Sequence, residues 1–75
     1  MSKEKIFLEV KQFIKDEYKD VSKNNIDFLE KRHSFIHGYI TGIFAYNLIN
    51  EKQFNELNSI KNKLYIQTKL YPDTL

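Results

Sequence analysis

Residues His33–Asn50, HSFIHGYITGIFAYNLIN, form an uncharged run of eighteen in a chain of 75 residues. Small residues recur in it at four-residue intervals, as Ser34, Gly38 and Gly42, beside the aromatics Phe35, Tyr39 and Tyr46. A helix on the surface of a globular protein turns a charged face to water, and this run has almost none to turn. It therefore reads as the central helix of a small bundle, as a helix that meets another chain, or as a membrane span. The span is the weakest reading. Eighteen residues barely reach the length needed, and two histidines, two asparagines, Ser34 and Thr41 interrupt the run.

On the N-terminal side, the spacing predicts a first helix over about 3–19. Ile6, Val10, Phe13, Ile14 and Glu17 share one face, with Phe7, Tyr18 and Val21 on its border and Lys11, Lys15 and Lys19 opposite. Ser2 is positioned to cap it, Glu4 lies in its first turn, and the polar cluster DVSKNN at 20–25 reads as the turn that ends it. Asn24 or Asn25 then caps a second helix, with Asp27 in its first turn, expected to run over about 25–49 as the longest element. At about 1.5 Å per residue it would span roughly 37 Å. Asn50 with Gln53 three residues on makes a capping box for a third helix over about 51–70. Phe54, Leu57, Lys61, Leu64 and Tyr65 form its stripe, with Ile60 at the edge, and Pro72 stops it by biasing Tyr71 away from helical geometry. The final residues, 73–75, read as frayed.

The fold class expected is all-α: one small domain over 1–75, built as a three-helix bundle with a long central helix flanked by two amphipathic ones. So short a chain buries only about 60% of its unfolded surface, and with no cysteine it has no covalent or thiolate staple. Oligomerisation is the common remedy, which makes a homodimer an added expectation.

On a helical wheel the central segment has two apolar seams. The aliphatic one holds Ile26, Leu29, Ile36, Ile40, Ile43 and Phe44; the aromatic one holds Phe28, Phe35, Tyr39 and Tyr46. Either each seam packs on one neighbouring helix, or both neighbours share the aliphatic side. The second arrangement leaves Phe28, Phe35, Gly38, Tyr39, Gly42 and Tyr46 as a surface for a partner or a second copy. Glycine inside a helix costs about 1 kcal/mol relative to alanine, so two in one stripe suggest the close approach of another backbone.

Chemistry-bearing constellations are few. Glu30, His33 and His37 stack along one side of the central helix at a spacing that could share a zinc ion across a dimer, although the other helices offer only scattered acids to complete a site. HSFIHG lacks the lysine and the correctly placed glycine of a histidine phosphotransfer helix. There is no GxSxG, Walker or HExxH pattern, and neither a catalytic residue nor a cofactor is expected. Twelve basic and ten acidic residues are interleaved, and eleven of the twelve are lysine, a balance that disfavours nucleic acid. MSKEKIFLEVKQF has no apolar signal-peptide core, and the lack of cysteine fits a cytoplasmic protein.

The chain's abundance of Lys, Asn, Ile, Phe and Tyr, with three helices and no cysteine, resembles small accessory proteins of Gram-positive phages and mobile elements. That resemblance implies a non-enzymatic module that binds, and inhibits or redirects, a larger host protein. Two alternatives belong to other classes: a small helical DNA-binding regulator, and a bacteriocin-immunity-type protein, although that type is a longer, four-helix chain.

Overall fold

Ser2 does cap the first helix, its hydroxyl accepting from the Lys5 backbone N–H at 3.1 Å. The computed structural model describes residues 2–72. These comprise α1 (Lys3–Asn24), a 3-10 turn (Ile26–Phe28), α2 (Leu29–Ala45) and α3 (Glu51–Leu70). The molecule is an all-α three-helix bundle, and among the described residues there is no strand. Residues 73–75, expected to fray, lie outside the described residues.

Three boundaries depart from expectation. α1 does not stop at 19 but runs five residues further, to Asn24. All of DVSKNN but Asn25 stays helical because Val21 and Ser22 turn inward, while Asn24 Nδ2 donates to Asp20 Oδ1 at 3.0 Å along the outer side. The central helix is correspondingly shorter, 17 residues instead of the expected span of about 25–49, and α1, at 22 residues, is the longest element. Asn25 precedes the 3-10 turn without a side-chain capping bond.

At its other end α2 stops at a left-handed residue. Asn47 has φ 61°; its N–H donates to Phe44 O at 2.9 Å, and the Leu48 N–H donates to Ile43 O at 3.1 Å. That pair of bonds is a Schellman motif, which satisfies carbonyls the helix end would otherwise leave open. Asn50 then starts α3 with the expected capping box: its side chain accepts from the Gln53 N–H at 2.8 Å, and Gln53 Oε1 accepts from the Asn50 N–H at 2.9 Å.

The helices run up, down and up. Tyr18 near the end of α1 meets His33 near the start of α2, and Glu30 of α2 meets Tyr65 near the end of α3. Glu4 and Gln53 join the starts of α1 and α3, and Ser22 Oγ in the last turn of α1 donates to Pro72 O just past the end of α3. The core between them comprises Phe7, Val10, Ile14, Tyr18 and Val21 of α1, Leu29, Ile36 and Ile40 of α2, Ile49 from the turn, and Leu57 of α3. Removing each such side chain from water contributes about 1.5–3 kcal/mol. The α1 seam therefore takes in Phe7, Tyr18 and Val21, which the spacing had put at its border, along with Val10 and Ile14, while Ile6 and Phe13 pack at its edge. Thr68, fully buried on α3, satisfies its hydroxyl against Leu64 O at 2.7 Å.

Candidate interaction surface

Both flanking helices pack on the aliphatic side of α2, through Leu29, Ile36 and Ile40, with Ile43 and Phe44 at the margin. Phe44 stacks on Phe54 of α3 with ring centroids 4.3 Å apart. The aromatic seam is left largely outside: Phe28, Phe35, Tyr39 and Tyr46 are all exposed, Tyr46 the most at 81%. Four of the six residues singled out from the spacing, Phe35, Gly38, Tyr39 and Gly42, lie on α2. Phe28 and Tyr46 flank it, one in the 3-10 turn and the other in the turn that follows the helix.

The expected close approach at the glycines is absent from the chain itself. A Cβ built on Gly38 or on Gly42 meets nothing within 4 Å. Neither helical glycine makes room for another backbone in this molecule, so their stripe is open surface.

Between α1 and α2 lies a groove of about 420 Å³ lined by Ile6, Glu9, Val10, Phe13, Tyr39, Ile43 and Leu48. Tyr39 is its wall: the ring packs 4.8 Å from Phe13 inside and 6.3 Å from the exposed Phe35 outside. Three rings thus lead from the open face of α2 into the groove. The Schellman turn supplies the groove's end, since Ile43 and Leu48, the two residues such a motif brings into apolar contact, both line it. Ile6, Phe13 and Leu48 were not among the candidate residues. Leu48 could have been found from the Asn47–Leu48 pair following the helical repeat, which is the pattern of a Schellman stop.

A polar cluster occupies the opposite end of the bundle. His33 Nδ1 lies 2.5 Å from the Tyr18 hydroxyl, and its ring stacks on Tyr65 at 4.0 Å. Tyr65 donates to Glu30 at 2.5 Å, and Lys69 reaches the same carboxylate at 3.5 Å. Lys61, only 4% exposed, places its Nζ 2.7 Å from His37 Nδ1. Arg32 ties α2 to α1 through Glu17 at 3.0 Å and Asp20 at 3.4 Å. Burial pushes the Tyr18 hydroxyl well above the usual phenol range and pulls the Lys61 ammonium below the usual lysine value. His33 is held below the ordinary histidine value, first by burial and then by the neighbouring Lys61. The Tyr65 hydrogen bond, with help from Lys69, lowers the Glu30 carboxyl, and the Asn24 hydrogen bond, then Arg32, lowers that of Asp20.

Glu30, His33 and His37, the candidate metal ligands, are thus each engaged by a different neighbour. Among the described residues no group of three or more histidine, cysteine or acidic side chains is placed to hold a metal ion. No helix of the described residues is long and apolar enough to cross a membrane. Comparison with protein-family models, with curated proteins and with solved structures finds no match to this chain.

Proposed function

We propose that this chain is a small non-enzymatic protein–protein interaction module that works by occlusion. Its partner is a larger protein that lays an apolar helix along the α1–α2 groove, and Phe35, Tyr39 and Tyr46 are the anchors it covers. The observation that carries this reading is the run of rings from Phe35 through Tyr39 to Phe13, open to solvent at one end and continuous with an apolar groove at the other. Aromatic side chains grouped around a pocket are what the energetic centres of interfaces are made of. Glu9 is the single charged residue lining the groove, so the covering helix carries a basic residue facing it. In a cytoplasmic accessory protein of a phage or mobile element, such binding would inhibit or redirect a host protein.

The test is site-specific photo-crosslinking in cells that express the chain. A crosslinker replacing Tyr46 is compared with one replacing Lys15 on the outer face of α1. The expected result is a discrete heavier adduct from position 46 alone, lost when Phe35→Asp is added while helicity by circular dichroism is unchanged. An adduct of twice the chain mass would assign the face to a second copy of this chain instead. Equal labelling from both positions would end the proposal. Phe35 is the cleaner probe than Tyr39, whose ring also packs against Phe13.

A further inference from the structure

α2 is gripped from both sides through imidazole nitrogens. On the α1 side His33 Nδ1 meets the hydroxyl of Tyr18, a residue with no exposed surface. On the α3 side, His37 Nδ1 meets the Nζ of the buried Lys61. The direction of the first bond follows from counting hydrogens. Burial keeps the phenol protonated, and among the described residues its hydrogen-bond partner is His33, so the hydroxyl donates and Nδ1 accepts. The second bond runs the same way, because an ammonium has only hydrogens to give.

We propose that His33 is a proton-operated latch: with Nδ1 bare it accepts from the Tyr18 hydroxyl and clamps α2 to α1, and a proton at Nδ1 reverses that bond, strands the hydroxyl hydrogen in the core and so loosens α2 from the bundle. A proton there sets two hydrogens against each other across 2.5 Å. The hydroxyl must then turn, inside a core where an unpaired polar group carries its full desolvation cost.

The surroundings offer the resulting cation little relief. The groups facing His33 are Tyr18 from α1, Glu30 and His37 from α2 itself, and Lys61 and Tyr65 from α3. Glu30 is the one acid among them, and it already accepts from Tyr65 and Lys69. Arg32 beside it is committed to Glu17 and Asp20. The Lys61 ammonium repels an imidazolium at His33 directly.

The sign of the pH effect is fixed by the lowered position of His33 in the fold. The unfolded chain takes up this proton as pH falls through about 6.5, the ordinary histidine value, and the folded chain takes it up only at lower pH. The contribution is complete above about 6.5 and is lost as pH falls from there towards the folded value. A one-proton difference raises the unfolding constant by up to about tenfold per pH unit across that window. Asp20 and Glu30, both lowered, act in a separate and more acidic window, below their ordinary carboxylate values.

The experiment is chemical denaturation and native-state hydrogen exchange of the full chain from pH 7.5 to 5.0, beside His33→Gln and Tyr18→Phe. Glutamine can still accept from Tyr18 but does not titrate. The unfolding constant of the wild type should rise as pH falls below about 6.5, the ordinary histidine value, with protection in α2 falling before that in α1 and α3. His33→Gln should flatten the slope. In Tyr18→Phe, which removes the donor and keeps the ring, the His33 NMR titration should move up towards the ordinary value. An unchanged slope in His33→Gln, or the same His33 titration with and without the Tyr18 hydroxyl, would overturn the latch. The NMR comparison decides the matter even where His33→Gln fails to fold.

Discussion

Gly42 sits in helical backbone with open space where a side chain would begin. Gly42→Ala should therefore stabilise the free protein by about 0.5–1 kcal/mol, read from urea unfolding, because alanine removes the entropic cost of glycine and meets no obstacle. If the glycine stripe is reserved for a closely approaching partner, the same variant should weaken the crosslink at position 46 while raising stability. A loss of stability would mean that the stripe is packed in solution. The four-residue spacing of Ser34, Gly38 and Gly42 was legible in the sequence, but what stands opposite was not, since a helical repeat records a face and not its occupant. Lys61 teaches the same lesson from inside the molecule. Its place in an apolar stripe was readable, yet the acceptor that makes burial tolerable, His37, lies 24 residues away, where no local pattern reports it.

Helix ends divide by how local their chemistry is. Ser2 and the Asn50–Gln53 box were readable because each is closed by bonds spanning three residues. The stop at Leu70 followed from the restriction that Pro72 places on Tyr71. The C-terminus of α2 was missed because Asn47 stands among Ala45, Tyr46, Leu48 and Ile49, whose apolar character continues the helical repeat across the turn. The left-handed conformation there makes a sharp prediction. Asn47→Ala should cost about 1–2 kcal/mol, since a Cβ-bearing residue without a compensating polar side chain is disfavoured at that φ, whereas Asn47→Gly should be neutral or stabilising. Equal midpoints for the two variants in thermal melts would show that the turn does not depend on this conformation. The extension of α1 into DVSKNN was hidden for the converse reason: its polar residues suit a loop, and only the inward registration of Val21 and Ser22 keeps the helix going.

At the scale of the molecule, the fold class was legible because three amphipathic stretches of the right length admit few other arrangements, and a bundle 34 × 18 × 17 Å results. Which side of α2 faced its neighbours was not legible, because both of its seams are apolar. The structure places Leu29, Ile36 and Ile40 inside and Phe35 and Tyr46 outside. The joints between the helices are short: Asn25 and a three-residue 3-10 turn in one case, residues 46–50 in the other. Such wiring keeps most backbone neighbours close along the chain, and the two longest side-chain ties, Ser22 to Pro72 and Glu4 to Gln53, sit at opposite ends of the bundle. Loop closure is therefore a small part of the folding barrier, and helical chains of this kind fold within about microseconds to milliseconds. Temperature-jump relaxation should show one phase in that range, and a dominant phase of seconds would contradict it. Each helix can meet its neighbour across a joint of at most five residues, so speed of assembly is a property the two short joints confer on the whole chain.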